Sequence, residues 1–311
     1  MERIFTCAVV QGNLRCGTDE VIACLSKHFD RVILSTWDDE NPDKIPKGDF
    51  EVVLNKKPLV TGYTHRNFQR LGTAAGLRRA EELGATHVLK WRTDMLPTKL
   101  DVKQLLKWAT YKVPPGFDSR LVTCAFRNLT VKQDWFSTIP DLFAFADISL
   151  MKLLWGDDSF DYSQDMNIPD DMAKEYGTDW CERPDALGLY CPEAELYALF
   201  KSRLQKQLHK PLTHLEMAKH HMRLFNHRSL GICWFGGQGK FRSIMQALQH
   251  PWWSEWTWKY GNPDCVEAGY PETNWLQKFR RKHLTRIVIR YESYRQRNWY
   301  KAYRRESLDL L

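Results

Sequence analysis

The chain has 311 residues, of which 43% are hydrophobic and 27% charged, a balance typical of globular proteins. This composition excludes a disordered or fibrous chain, and no apolar stretch approaches the roughly 20 residues of a transmembrane helix. The eight cysteines form no Cys-x-x-Cys pair, which excludes a zinc ribbon or thioredoxin-type site and favours reduced thiols. Because the N-terminus opens on strand-like sequence rather than a secretory signal, we expect a cytoplasmic protein.

The net charge of +7 is distributed unevenly. Residues 274–311 carry eleven Lys or Arg against three Asp or Glu, so the preceding 273 residues sum to −1. Residues 157–185 hold ten acidic side chains and two basic ones. The chain therefore divides into a near-neutral body, an acidic insertion and a basic tail. Nucleic-acid-binding domains usually carry the basic patch on the reading domain itself, so nucleic acid is an unlikely partner.

The first hundred residues alternate between short apolar runs and segments of helical periodicity. Strands joined by helices of this length predict a mainly parallel sheet with helices on both faces, a Rossmann-like α/β fold. The predicted strands are 4–10, 32–37, 50–54 and 87–92, and the predicted helices are 18–29 and 67–83. Ligands of such sheets bind at the carboxyl ends of the strands. The sequence places three polar clusters there: Gln11 and Gly12, residues 35–37, and residues 92–94.

The pattern after residue 97 is mixed. Residues 157–185 contain few apolar side chains and several Pro and Gly, which predicts a long acidic surface loop or lid. We expect a catalytic domain over residues 1–250 and a second unit over 251–311, a Trp-rich segment followed by a basic helical tail. Further helices are predicted at 100–112, 148–155 and 193–208, and further strands at 121–126 and 141–146.

Several common catalytic signatures are missing from the sequence. Gly12 is a single glycine where a dinucleotide-binding loop needs three, and Gly239-Lys240 is followed by Phe241 rather than the Ser or Thr of a phosphate loop. Neither His-Glu-x-x-His nor Gly-x-Ser-x-Gly occurs. Dehydrogenase, P-loop, zincin and α/β-hydrolase functions are therefore disfavoured together.

The strongest remaining signal is Lys90-Trp91-Arg92-Thr93-Asp94 at the end of the fourth predicted strand. Arg92 at a strand end can clamp phosphate oxygens, while Asp94 can reach a divalent cation bound to the same phosphates. The alternative is a structural salt bridge between Arg92 and Asp94.

A wider set of motifs resembles the WavE-type lipopolysaccharide biosynthesis proteins, a family of glycosyltransferase-like proteins with a nucleotide-sugar fold of the GT-A kind. The resemblance covers roughly residues 4–235 and depends on the order and spacing of its motifs. These are Gln11-Gly12, Leu34-Ser35-Thr36-Trp37, Asn67-x-Gln69-Arg70 with Gly76-Leu77, Lys90-x-Arg92-x-Asp94, Pro140-Asp141-Leu142-Phe143-Ala144-Phe145 and Pro192-Glu193-Ala194-Glu195-Leu196.

The resemblance implies donor-binding roles in the first half of the chain. Gln11, Gly12, Ser35 and Thr36 would lie at the base and ribose of a nucleotide sugar. Asn67, Gln69 and Arg70 would stand near the diphosphate, or serve only as structural caps. Lys90 and Arg92 would complete this set of donor-binding residues.

Asp94 takes the place of the family's Asp-x-Asp, which implies a Mn²⁺ or Mg²⁺ ligand at this position. Arg92 replaces the first aspartate of that motif, so a guanidinium can supply part of the metal's charge.

A glycosyl transfer with inversion also needs a base that deprotonates the acceptor hydroxyl. The candidates are Asp141, Asp147, Glu193 and Glu195. Glu193 follows Pro192 in a first helical turn, where the helix dipole favours the ionised carboxylate. Asp141 opens an apolar strand, or simply caps a turn. We take Asp94, Asp141 and Glu193 as the catalytic set.

The predicted function is transfer of a sugar from a nucleotide-sugar donor to a glycan or lipid-linked acceptor in surface polysaccharide or lipopolysaccharide synthesis. The tail has apolar side chains such as Leu284, Ile287 and Tyr291 on one helical face and arginines on the other. This layout predicts peripheral contact with the inner face of an anionic membrane, or packing on the protein's own body. The alternative function is a non-catalytic basic protein that binds nucleic acid through this tail.

Overall fold

The computed structural model forms two β-sheets flanked by helices. It describes residues 4–15, 17–62, 65–97, 100–124, 139, 141–158, 160–164, 192–213, 216–225, 232–234 and 242–243. Most of the predicted acidic lid, from residue 165 onward, and the whole of the predicted unit 251–311 lie outside the described residues. No helix in the described part of the chain is both long and apolar enough to cross a membrane.

Ten strands are assigned within the described residues. They are β1 Thr6–Gln11, β2 Arg31–Trp37, β3 Glu51–Asn55, β4 His87–Arg92, β5 Met95–Pro97, β6 Leu121–Cys124, β7 Ala144–Asp147, β8 Met222–Phe225, β9 Ile232–Trp234 and β10 Arg242–Ser243. The larger sheet has seven strands in the order β3-β2-β1-β4-β7-β6-β8, and the smaller sheet has the order β10-β9-β5.

The seven-stranded sheet is mostly parallel. Strands β3, β2, β1 and β4 run parallel to one another, and β8 runs parallel to β6. Only β7 runs against its neighbours β4 and β6 in the described sheet. The prediction of a mixed, mainly parallel α/β sheet is therefore confirmed.

Helices cover both faces of this sheet, as predicted. They are α1 Thr18–Ser26, α2 Arg66–Glu82, α3 Val102–Ala109, α4 Ile148–Trp155 and α5 Pro192–Leu208. Alternate residues of β1 point to opposite faces, so Cys7 and Val9 join a core with α2, α4 and α5. Ala8 and Val10 join a second core with α1 and α3.

Helix α2 lies unusually close to β1 and β2. A Cβ atom on Gly76 would lie 2.3 Å from Cγ1 of Val9, so a larger residue would push the helix off the sheet. The Ser35 hydroxyl donates to the Gly72 carbonyl oxygen at 2.6 Å. These contacts hold the middle of α2 against β1 and β2.

The predicted strand 141–146 begins later in the structure, at Ala144. Asp141 and Leu142 form a bend before β7. Because β7 is antiparallel to β4, with Ala144 opposite Lys90, its first residues lie beside the carboxyl end of β4. This topology brings Asp141 to the edge where Arg92 and Asp94 are found.

Candidate functional site

The candidate site lies at the carboxyl ends of β1 and β4. Gln11, the last residue of β1, is paired with Ser35 of β2 on one side and Arg92 of β4 on the other. The strand order reverses here, because β2 and β3 follow on one side of β1 and β4 lies on the other. Open α/β sheets bind ligands in the crevice at such a switch point.

The loop after β1 is fixed to both neighbouring strands. Gly12 has a φ of 134°, and a Cβ atom there would lie 2.8 Å from Oγ1 of Thr93. The Thr93 hydroxyl donates to the Asn13 carbonyl oxygen at 2.7 Å, and Trp37 Nε1 donates to Asn13 Oδ1 at 2.6 Å. Glycine is needed at position 12 because both the backbone angle and the close approach exclude a side chain.

Arg92 is the centre of the site. Its Nε and one terminal nitrogen donate to the two oxygens of Asp94 at 2.9 Å each, a bidentate pair. Its other terminal nitrogen donates to Asp141 Oδ2 at 2.7 Å. The Arg92 side chain is 24% exposed, against 10% for Asp94 and 7% for Asp141. The predicted Arg92–Asp94 salt bridge is thus present, and the same guanidinium reaches a second carboxylate.

Lys90 stands behind this cluster. It is fully buried, its ammonium group donates to the Asp141 carbonyl oxygen, and it lies 5.0 Å from the centre of the Trp155 ring. Glu193, half-buried in the first turn of α5, is close enough for its charge to act on Lys90. The Glu193 carbonyl also accepts a hydrogen bond from the Ile139 amide at 3.2 Å.

The charges of the cluster shift the pKa values of both cations. Burial lowers the pKa of Lys90 to about 8, although Asp141, Asp94 and Glu193 act to raise it. Burial also lowers the pKa of Arg92, but the charge of Asp141 and the hydrogen bonds that Arg92 donates to Asp94 outweigh it and hold that pKa above its ordinary value. Arg92 therefore stays charged at any working pH, whereas Lys90 can lose its proton in mildly alkaline solution.

The described residues do not fit a divalent cation at Asp94. Both Asp94 oxygens already accept hydrogen bonds from Arg92, and a cation bound to them would lie beside that guanidinium. No group of three or more Asp, Glu, His or Cys capable of holding a metal occurs in the described part of the chain.

The residues predicted to contact the base and ribose, Gln11, Ser35 and Thr36, have different surroundings in the structure. Gln11 lies at the strand end with its Cγ against Gly72, on the same sheet face as Arg92. The Ser35 hydroxyl is held between the Gly72 carbonyl and Asn55 Nδ2, at 2.6 and 2.9 Å. The buried Thr36 hydroxyl has no hydrogen-bond partner among the described residues.

Asn67 and Arg70 hold the start of the acidic insertion. Asn67 Nδ2 donates to the carbonyls of Val60 and Tyr162 at 2.8 and 3.0 Å. Arg70 donates to the carbonyls of Leu154 and Gly156 at 3.2 Å each. The neighbouring Gln69 is half-buried, and its carbonyl accepts from Thr73 Oγ1 within the helix.

Arg70 is also positioned by aromatic rings. Its guanidinium lies 4.6 Å from the centre of the Phe160 ring and 5.7 Å from that of Trp155. Burial lowers the pKa of Arg70 to about 10. The structure thus gives Asn67 and Arg70 the structural role that the sequence left as their alternative.

Two of the four candidate bases are bound to groups away from Arg92. Asp147 caps α4 by accepting from the Leu150 amide at 2.9 Å, and it accepts from the Ser119 hydroxyl at 2.7 Å. Glu195 is 1% exposed and forms a buried ion pair with Arg66. Asp141, which is bound to Arg92, and Glu193, whose charge acts on Lys90, remain as the candidate bases.

Sequence reasoning missed the residues that support the site. Asn13, which helps to fix the loop after β1, directly follows Gly12 but was not selected, whereas its partner Thr93 lay within the selected cluster 92–94. Trp155 and Arg66 were not selected at all. The available signal for Arg66 was its position directly before the motif that begins at Asn67.

A separate groove of about 1070 Å³ lies between α1 and residues 43–50. None of the predicted site residues line it, and its walls carry side chains of both charges, such as Lys27 and Asp49. The groove is therefore not part of the strand-end site.

Comparison with known proteins adds little to this geometry. No family model matches the chain, and no curated protein matches it. A solved structure of HddC from Yersinia pseudotuberculosis, complexed with GMP-PN, matches 48% of this chain and 79% of that chain at 12% identity, with a TM-score of 0.29. Similarity at this level does not extend to activity.

Proposed function

We propose that the chain is a glycosyltransferase with a GT-A-like domain over residues 1–250, which moves a sugar from a nucleotide-sugar donor to a glycan or lipid-linked acceptor. The pathway we assign is surface polysaccharide or lipopolysaccharide synthesis, as the resemblance to WavE-type proteins implies. The observation that carries the proposal is the partly exposed Arg92, held by two carboxylates at the switch point of the sheet.

The Arg92 guanidinium retains N–H groups that can donate hydrogen bonds to a diphosphate. A guanidinium has five N–H donors, and three of them bond to Asp94 and Asp141 in the described residues. The remaining two lie on the terminal nitrogens, where a planar fork suits phosphate oxygens as well as carboxylates. Asp94 contributes by fixing the orientation of this fork before the ligand arrives.

Asp141 and Glu193 supply the proton chemistry of the proposed reaction. In an inverting transfer, one of these carboxylates takes the proton of the acceptor hydroxyl as the acceptor oxygen bonds to the anomeric carbon. The bond from that carbon to the diphosphate oxygen breaks, and its electron pair leaves with the nucleoside diphosphate. Arg92 stabilises the negative charge that develops there.

Donor hydrolysis without acceptor tests the proposal. A panel of UDP-, GDP-, dTDP- and CMP-sugars is incubated with the wild-type chain, Arg92→Gln and Arg78→Gln. Arg78 is a suitable control because it pairs with Asp157 at the surface, with 55% of its side chain exposed. We expect slow release of nucleotide from at least one donor by the wild type and by Arg78→Gln, and loss of release in Arg92→Gln.

Two outcomes would contradict the proposal: no donor is hydrolysed by any variant, or Arg92→Gln hydrolyses donor at the wild-type rate. Salt-sensitive binding of DNA or RNA without donor turnover would instead favour the non-catalytic nucleic-acid-binding function.

We further propose that the basic tail, residues 274–311, holds the enzyme at an anionic membrane that carries the acceptor. The support is the sequence pattern of its basic and apolar side chains, since these residues lie outside the described part. Vesicles with and without phosphatidylserine test it in a sedimentation assay of the full chain and of a chain ending at Asn274. Only the full chain should bind the anionic vesicles, and less so at high salt; equal sedimentation of both chains would contradict this role.

A further inference from the structure

Lys90 is an unusual residue for the centre of a sheet. It lies in β4, between β1 and β7, and is fully buried. A buried ammonium group is costly unless it is paired and hydrogen-bonded. Its described contacts are the Asp141 carbonyl oxygen and the face of the Trp155 ring.

Lys90 and Arg92 hold the same residue by different atoms. They are two positions apart on one strand and therefore point to the same face of the sheet. Lys90 binds the Asp141 main chain, whereas Arg92 binds the Asp141 carboxylate at 2.7 Å. Together they fix both the position of the bend before β7 and the direction of the carboxylate.

We infer that Lys90 is a positioning residue of the candidate active site, whose ammonium group holds the bend at Asp141 so that the carboxylate meets Arg92. Because no part of Lys90 is exposed, it acts through Asp141 rather than by touching a ligand. This replaces the donor-binding role that the sequence suggested for Lys90, and it rests on the proposed function only for its effect on turnover.

The charges around Lys90 agree with this role. Asp141 precedes β7, Arg92 and Asp94 follow β4, and Glu193 lies on α5, and all four act on the Lys90 ammonium. Three carboxylates thus face two cations. Removal of the Lys90 charge would leave Arg92 to balance all three carboxylates.

The test compares Lys90→Met, Lys90→Arg and the control Lys152→Met. Methionine keeps a long unbranched side chain without the charge, and arginine keeps the charge. Lys152 is a matched control because it lies on α4, which packs on the same face, but is paired with Glu81 at the surface. Donor hydrolysis gives kcat and KM, and hydrogen exchange followed by mass spectrometry reports the amides of residues 141–147.

We expect Lys90→Met to lower kcat at least tenfold with KM changed less than about threefold, since donor binding is left to Arg92. Exchange over residues 141–147 should be faster than in the wild type, while that of β1 is unchanged. Lys90→Arg should give a kcat and an exchange rate between those of the wild type and Lys90→Met. Lys152→Met should match the wild type in all measurements.

Wild-type kcat in Lys90→Met, or unchanged exchange over residues 141–147, would overturn the inference. If Lys90→Met does not fold, the same criteria apply to Lys90→Arg. If the wild type hydrolyses no donor, the proposed function fails, while hydrogen exchange still decides whether Lys90 holds the bend.

Discussion

Two arginine–carboxylate clusters occur on the same side of the sheet, and they differ in access to solvent. Arg66 binds Glu195 and the Gln164 carbonyl, with side-chain exposures of 4% for Arg66 and 1% for Glu195. Arg92 binds Asp94 and Asp141 with a quarter of its side chain exposed. The residue types are alike, but of these two clusters the second lies at a strand end, and its arginine is the one that solvent reaches.

This difference shows which arginine can take part in binding. A guanidinium enclosed by protein, such as Arg66 beside Phe160 at 5.2 Å, holds two parts of the chain together and cannot exchange its partners. Arg66 joins residue 164 to α5. Arg92 is oriented by its carboxylates yet remains reachable, which is the arrangement needed to bind an anion.

The largest expected effect is a loss of stability when the buried pair of Arg66 and Glu195 is broken. Arg66→Met removes the guanidinium from buried Glu195, which should lower the free energy of unfolding by about 3–5 kcal/mol. Denaturant unfolding of this variant and of Arg78→Gln gives the comparison. The exposed Arg78 pair should change stability by less than about 1 kcal/mol. Equal effects in the two variants would show that the enclosed Arg66–Glu195 pair contributes no more to stability than a surface pair.

The second expected effect is a loss of activity when the cluster of Arg92, Asp94 and Asp141 is altered. Asp94→Asn removes the charge that orients Arg92, so turnover should fall below about a tenth of the wild-type value, a barrier increase of at least 1.4 kcal/mol. The melting temperature should change little, because Asp94 lies at the edge of the sheet. Steady-state donor hydrolysis and thermal melting measure the two quantities. Turnover above a tenth would remove Asp94 from the active site.

A third prediction concerns pH. Burial lowers the pKa of Lys90 from its ordinary 10.5 to about 8, so wild-type turnover should decline as the pH rises through 8. The unfolded chain keeps this proton up to about pH 10.5, so the contribution of Lys90 to stability should rise between pH 8 and 10.5. The difference between wild type and Lys90→Met in pH–rate and pH–melting profiles isolates this group. Parallel profiles for the two proteins would contradict the assignment.

The smallest expected effect is that of metal removal. Arg92 occupies both oxygens of Asp94, so donor hydrolysis should change less than about twofold when EDTA is added. Initial rates with EDTA, Mn²⁺ and Mg²⁺ measure this. Activity that is lost in EDTA and restored by Mn²⁺ would show that a cation displaces Arg92.

Local patterns were sufficient to predict most of the fold. β4 and α4 have the predicted bounds, and β1, β2, β3 and α2 differ from prediction by one or two residues. Their apolar periodicity is strong because each is buried on a sheet face. β5 and β8 were not predicted, because strands of three or four residues are too short to show an alternation of apolar and polar side chains.

The site was predicted less completely, for two physical reasons. The strand-end rule predicts that Gln11, Gly12, Arg92 and Asp94 lie at one edge of the sheet, where the structure has them, because the rule depends only on strand direction. The partner of Arg92 could not be found that way, because Asp141 reaches the edge only through the antiparallel course of β7. Sequence also does not distinguish a buried cation from an exposed one, and Lys90 and Arg70, both predicted to bind the donor, are buried in the structure.

The most direct test is a thermal-shift titration with nucleoside diphosphates in EDTA, on the wild type and Arg92→Gln. A ligand at 100 times its dissociation constant stabilises the folded chain by about 2.7 kcal/mol, which gives a measurable shift. We expect at least one nucleoside diphosphate to raise the melting temperature of the wild type and to have no effect on Arg92→Gln. Shifts of equal size in the two proteins, or no shift with any nucleoside diphosphate, would contradict a diphosphate site at the carboxyl ends of β1 and β4.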